Sequence, residues 1–299
     1  MEEQERLAKR VSLVCDWLSN RPTDPSKQSQ TACLWEDEMV PPALPALPLV
    51  RPAGKAESLP IDFVAGCDVT FLDVWKTPTV GIACIKVLSF ADMTEVAEAI
   101  AEEEITFPYI PGLLAYRELP ALISAYKKLD SKYRRHAKPR TVYIVDGQGI
   151  AHFRRLGIAS HFGVLTGEIT IGCAKSRLCG SFEIPIEPRL PSSSQKATTG
   201  ETAMESLLTD EKTGTRLGTV LRVKPFAGRQ RQPQTAPVVT REFTVKPEKY
   251  TNLLFISPGH RIDFDTATMV VRACLTKHIQ PEPTRLAHNR LQDLRRKLL

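Results

Sequence analysis

The sequence predicts an α/β protein built on one mixed sheet, in which three antiparallel strands come first and parallel strands follow. Three observations carry that expectation. Residues 62–71, 79–88 and about 93–104 are consecutive strand-like runs with no helical interval, the pattern of a meander. Residues 141–146, 153–162 and 169–173 then read as strand, helix and strand, the order that joins parallel strands. Within the second group, Thr141-Val-Tyr-Ile-Val-Asp146 is a buried-strand pattern ending on a carboxylate, and Gly147 and Gly149 let the chain turn away. Such a run delivers an acid to the carboxyl edge of a sheet, where α/β proteins place their sites.

The remaining elements follow in order. Residues 3–19 predict an amphipathic helix with Leu7, Val11, Val14 and Leu18 on one face. A Pro/Ser/Gln-rich loop covers 20–31, and Val40–Val50 holds too many prolines for regular structure and should lie extended. Residues 1–58 thus read as a helix and a Pro-rich segment leading into the core. The third strand is ambiguous, because Glu95-Val-Ala-Glu-Ala-Ile-Ala-Glu102 also fits a short helix; continuity with the meander favours strand. The Pro111-Gly112 break opens a helix from Leu113 to about Leu129. Residues 187–216 and 226–247 are poor in apolar side chains and predict flexible surface insertions on a single domain spanning 1–299. Strands at 217–223 and 252–256, a Ser257-Pro-Gly-His260 turn, a helix over about 264–278 and a basic tail complete the chain. No internal repeat is visible.

Composition excludes more than it assigns. The net charge of +6 and the pI near 8.9 mildly favour an anionic partner, although many basic proteins touch no nucleic acid. Seven scattered cysteines without a CxxC pair argue against zinc ribbons and thioredoxin-like redox chemistry. They fit small buried hydrophobes in a reducing, intracellular compartment. The acidic N-terminus has no apolar core of a secretory signal, and no stretch of about 18 apolar residues occurs, so no membrane partner is expected. Cytoplasm is the default location and the nucleus the alternate, since Lys132-Tyr-Arg-Arg135 is a weak nuclear signal. A monomer is expected.

Three acids stand out against this background. Asp68 lies in the apolar run Phe63–Phe71, Asp146 ends the 141–146 strand, and Glu118 sits one turn into a helix. An isolated acid in a buried strand costs several kcal/mol unless it is paired or binds a metal. The bland alternative is a set of surface carboxylates capping neighbouring elements, with Glu118 favoured by the helix dipole. Together the acids point to a hard-cation site on oxygen ligands, most simply Mg²⁺, with Mn²⁺ as an expected substitute. Tyr109, between Pro108 and Pro111, lies in a rigid loop that loses little freedom on binding.

The blocks around these residues resemble the endonuclease V family, inosine-specific nucleases with a ribonuclease H-like fold. The resemblance rests on Val64-Ala-Gly-Cys-Asp68-Val, Phe107-Pro-Tyr-Ile-Pro-Gly-Leu-Leu-Ala-Tyr-Arg-Glu118 and Asp146-Gly-Gln-Gly-Ile-Ala-His152. It continues through Arg154-Arg-Leu-Gly-Ile-Ala-Ser-His161, Thr170–Gly180, Ile256-Ser-Pro-Gly-His-Arg-Ile262 and Pro281-Glu-Pro-Thr-Arg-Leu-Ala-His288. Phe153 stands where the family often has proline, and Gln148 where it often has histidine or asparagine. The two polar insertions exceed those of compact bacterial members and imply a eukaryotic-type member.

The resemblance implies a Mg²⁺-dependent enzyme that recognises hypoxanthine in a nucleic acid and hydrolyses the second phosphodiester bond 3′ to it. It implies Asp68, Glu118 and Asp146 as metal ligands, and His260 near them as a ligand or a proton carrier. Lys175 is expected to hold a phosphate oxygen or orient water. Tyr109, Ile110, Pro111 and Gly112 are expected to form a wedge that fills the gap left by an extruded base. Gly112, Gly147 and Gly149 would let backbone groups approach that base and reject the extra amine of guanine. The expected substrate is inosine-containing single-stranded RNA, with deoxyinosine DNA repair as the alternative. Two other classes stand beside it: a binding protein that has lost turnover, and a nuclease without inosine selectivity. The intact acids argue against the first and the Pro-Tyr-Ile-Pro-Gly loop against the second. Basic clusters at Lys127–Arg140, Arg222–Arg231 and Arg295–Lys297 offer phosphate contacts, but each also fits a solvated face.

Overall fold

A computed structural model describes residues 2–15, 59–134, 140–183, 204–223 and 252–298. Its centre is an eight-stranded sheet in the order β3-β2-β1-β4-β5-β8-β7-β6. Strands β1 (Phe63–Phe71), β2 (Thr79–Ser89) and β3 (Glu95–Ile105) form the antiparallel meander. The ambiguous segment is a strand because pairing with β2 buries Ala99, Ala101 and Ile105. Strands β4 (Thr141–Val145) and β5 (Ile169–Ala174) then run parallel to β1. Strand β8 (Leu253–His260) returns antiparallel beside β5, followed outward by β7 (Arg216–Arg222) and β6 (Met204–Thr209).

Helices cover both faces. On one face, α2 (Leu114–Lys128) and α3 (Ile158–Thr166) pack Leu119, Leu122, Ala125 and Phe162 against Ala65, Cys67, Ile85 and Tyr143. On the other, α4 (Phe264–Ala273) sets Val270 and Val271 against Val64, Ile144, Ile171 and Ile256, and α5 (Glu282–Leu298) sets Ala287 and Leu291 against Ile82 and Cys84. Burying side chains of the size of Leu291 contributes about 1.5–3 kcal/mol each. Successive residues of β1 alternate between the faces, so Val64, Gly66 and Asp68 share the α5 side while Ala65 and Cys67 face α2.

Several boundaries differ from the sequence reading. The N-terminal helix α1 is short, Glu2–Ala8, and Ser12 already donates its backbone N–H to the His260 ring; residues 16–58 lie outside those described. The helix expected over 153–162 begins at Ile158, because Arg155 adopts a left-handed backbone (φ 58°) and Gly157 N–H bonds Gly149 O at 2.9 Å. Of the stretch 187–216 taken as an insertion, Met204–Thr209 pairs with β7 as a sheet strand. Residues 184–203 and 224–251 lie outside those described. The Ser257–His260 turn is instead part of β8, where the Pro258 carbonyl accepts from Ile150 N–H at 2.8 Å. The helix expected to reach 278 ends at Ala273, and the basic tail is the 17-residue helix α5.

The six described cysteines are free. Among the described residues, no helix is long and apolar enough to cross a membrane.

Candidate active site

Two aspartates meet where β1 outlasts its parallel neighbour. Strand β4 pairs with β1 only as far as Cys67↔Val145, and the next residue, Asp146, keeps the ladder direction by donating its N–H to Cys67 O at 2.9 Å. Asp68 and Asp146 therefore stand side by side, and Asp146 reaches the carboxyl edge of the sheet as the Thr141–Asp146 pattern predicts. Helix α5 brings a third group: His288 Nδ1 lies 2.8 Å from Asp68 Oδ2. Ligand atoms of Asp68, Asp146 and His288 all lie within 4.8 Å of one another.

Glu118 approaches from α2 on the opposite face. Burial, with the charges of Asp68 and Asp146 beside it, pushes its carboxyl up to about 8. Asp146 is also raised, by burial and by Asp68, against the opposing pull of Lys175 and His288. Lys175, one residue past β5, sets its Nζ 2.7 Å from Asp146 Oδ2. Three carboxyls thus crowd together with one lysine to offset them. Hard oxygen donors plus one imidazole, short of positive charge, fit a divalent cation such as Mg²⁺ or Mn²⁺.

The placement of His288 depends on a glycine. A β-carbon on Gly66 would lie 2.0 Å from Pro283 C and 2.3 Å from Thr284 N, so the start of α5 rests directly on the β1 backbone. Five residues on from Pro283, the helix delivers His288 over Asp68, two residues along β1 from Gly66. The Pro281–His288 block is part of the family resemblance, yet its histidine carries no expected role there. The signal was available, because Leu286, Ala287, Leu291 and Leu294 recur at helical spacing through a stretch read as a tail.

His260, expected near the metals, lies elsewhere. Strand β8 runs antiparallel to β5, so His260 pairs with Thr170, which lies level with Tyr143 on β4. Asp146 is three residues farther along β4 and two strands away, roughly 10 Å in each direction. The His260 ring accepts from Ser12 N–H at 3.1 Å and so receives the N-terminal segment.

The Phe107–Gly112 loop stands about one helical turn before Glu118 on α2. Tyr109 and Ile110 are partly exposed, at 36% and 39%, and Pro111 is exposed. Gly112 takes φ +77°, and its carbonyl accepts from Arg154 Nη2 and from Gln4 Nε2. Gln4, fully buried on α1, also accepts from Arg154 Nε and donates to Leu156 O at 3.2 Å. His152, whose ring bonds the Gly112 backbone and accepts from Arg154 N–H, is held down to about 4 by burial and the neighbouring arginines. It is therefore a neutral support for the loop at ordinary pH. Gly147 and Gly149 follow Asp146 directly. Gly149 uses its missing side chain within the protein, lying against Pro258 and donating its N–H to Ser257 Oγ at 2.8 Å. In the first basic cluster, Lys128 and Arg134 are committed to the carbonyls of Ile100 and Leu129.

Comparison with known proteins places this arrangement in context. Residues 50–289 match the family model described as Endonuclease V. An endonuclease V of Nostoc punctiforme is 37% identical over 228 residues, covering 76% of this chain and 81% of that protein. One from Rippkaea orientalis is 38% identical over 227 residues, covering 76% and 78%. The crystal structure of the Streptomyces avermitilis endonuclease V is similar at TM-score 0.62 and 29% identity, covering 99% of this chain and 92% of that one. A Ciona intestinalis endonuclease V, in complex with a 24mer DNA containing an inosine followed by a ribo-adenosine, has the same fold at TM-score 0.62 and 22% identity, covering 100% and 97%.

Proposed function

The chain belongs to the endonuclease V family and is a nuclease; from that premise we propose that it recognises inosine in a nucleic-acid strand and hydrolyses the second phosphodiester bond on the 3′ side. The observation that carries the reading is the convergence of Asp68, Asp146, Glu118, Lys175 and His288 one helical turn from the Tyr109 loop.

Asp68, Glu118, Asp146 and His288 would hold a divalent ion, with Mg²⁺ the proposed metal. When bound, such an ion neutralises charge growing on phosphorus and lowers the pKa of a bound water. The side chains have work of their own. Lys175 keeps Asp146 oriented through its 2.7 Å contact and extends a cation toward a non-bridging phosphate oxygen. His288, engaged through Nδ1 by Asp68, orients that carboxylate and has Nε2 left as its donor to the ion. Tyr109 and Ile110, held by the rigid proline-flanked loop, fill the gap left when the inosine base swings out. The backbone around Gly112 and Gly147 then reads the edge that hypoxanthine shares with guanine and has no room for the exocyclic amine.

The proposed substrate is inosine-containing single-stranded RNA. A relative crystallised with a ribonucleotide directly after the inosine fits a ribose preference at that position. The second reading, deoxyinosine repair, is favoured by the same complex, because its strand is otherwise DNA.

Matched single-stranded RNA and DNA strands carrying inosine or guanosine at one position test these readings, with Mg²⁺ or with chelator, beside Asp146→Ala. Mg²⁺-dependent cuts one nucleotide past inosine in RNA support the first reading, and comparable cutting of DNA supports the second. Equal cutting at guanosine removes the inosine pocket. Binding without any cutting makes the chain a non-catalytic binder.

A further inference from the structure

Trp75, in the loop between β1 and β2, is 80% exposed, more than any other large hydrophobic residue among those described. Its ring sits edge-on to Tyr109, with centroids 5.4 Å apart and planes at 64°. The two belong to loops separated by the whole β2–β3 hairpin, so their meeting is a tertiary event.

Arg117 makes that meeting rigid. It is fully buried and next in sequence to Glu118. Its guanidinium donates to Val74 O at 3.0 Å, Lys76 O at 2.9 Å and Thr77 Oγ1 at 3.2 Å on the Trp75 loop, and to Phe107 O at 2.7 Å on the Tyr109 loop. Four charge-assisted bonds from one group fix the two loops to each other and to the helix that carries Glu118. An indole held out in solvent on so firm a base has little ordering left to lose on binding.

The surroundings of Trp75 are charged. Asp73 and Lys76 pair at 3.4 Å beside it, with the Lys76 side chain 79% exposed. A protein-docking anchor is normally enclosed by apolar neighbours, whereas a flat ring beside a solvent-exposed lysine suits one unstacked nucleobase and its phosphate.

We propose that Trp75 and Tyr109 form a two-ring platform, on which Trp75 stacks the nucleobase of a nucleotide flanking the extruded inosine. The proposal rests on the inosine-nuclease reading and adds to it a second base site, indifferent to base identity, that favours unpaired strands. Duplex bases are already stacked on one another, so the platform has purchase only on a strand that is open.

Binding of labelled single strands, measured by fluorescence anisotropy with divalent ions chelated, tests this. Strands carry inosine or guanosine, and each neighbouring nucleotide in turn is replaced by a base-less tetrahydrofuran. Trp75→Ala is expected to weaken binding roughly tenfold, the range of a lost base–aromatic stack, and Trp75→Phe much less. Base removal at one flanking position should cost wild type a similar factor and cost Trp75→Ala nothing further. Wild-type affinity in Trp75→Ala, or an undiminished loss for that variant at every base-less position, overturns the platform. A guanosine strand bound as tightly as the inosine strand overturns the inosine reading instead, and the stacking comparison still stands because it is read on both.

Discussion

His288 Nδ1 lies 2.8 Å from Asp68 Oδ2, a contact between residues 220 positions apart in the chain. Strand β1 and helix α5, at opposite ends of the domain's sequence, are thereby joined at the chemical centre. Replacing His288 with alanine is expected to lower metal affinity or single-turnover cleavage by about 10–100-fold, the range for groups that orient or complete a metal site. Isothermal titration with Mn²⁺ and a cleavage time course check it. Unchanged values in both would remove His288 from the site.

The contact survives only if α5 rests on Gly66. Gly66→Ala places a methyl 2.0 Å from Pro283 C, which backbone cannot absorb without shifting. Stability is expected to fall by about 1–3 kcal/mol, the usual cost of overpacking. Urea midpoints should show that loss, and cleavage should fall more than stability alone explains, because His288 moves with α5.

Gln4 ties α1 to the Tyr109 loop through Gly112 O, Leu156 O and Arg154. Gln4→Ala leaves these buried groups short of partners, a loss of about 1–3 kcal/mol. The discriminating readout is selectivity: inosine-over-guanosine cleavage should narrow as the loop loosens, while Gln4→Glu, which keeps the acceptor for Arg154, retains more of it.

His161 predicts an acid-side weakening. Burial holds its imidazole down to about 4 from 6.5, and Nδ1 has no hydrogen-bond partner among the described residues. Below the unfolded pKa the unfolded chain takes up a proton that the native state refuses, so stability is complete above 6.5 and falls toward about 4. The contribution is at most about 3 kcal/mol at 1.36 kcal/mol per pH unit. Stability measured from neutral pH down to about pH 4.5 should decline less steeply in His161→Phe. An unchanged slope would show that His161 titrates normally in the native protein.

Much of this protein is legible without coordinates. An apolar strand run that holds a lone acid is strongly constrained, so pattern alone put Asp68 and Asp146 on strands of the sheet; pairing of β1 with β4 made them neighbours. The strand character of Glu95–Ile105 was legible only by its position after two strands, since its own residues fit either state. Pairing with β2 decided it.

Other features depend on contacts that no local pattern encodes. In the sequence His260 is expected near the acids, while His288 is given no role. An antiparallel return carries the first to the far end of the sheet, and a helix resting on Gly66 carries the second to Asp68. The meeting of Trp75 with Tyr109 likewise follows from where Arg117 finds its carbonyl partners. Sequence alone thus determined the antiparallel meander, the strands that carry Asp68 and Asp146 and the proline-flanked loop, because those rest on local periodicity and side-chain chemistry. Tertiary structure alone decided which histidine joins the acids and which ring meets Tyr109, because strand direction and close backbone packing are settled between segments far apart in the chain.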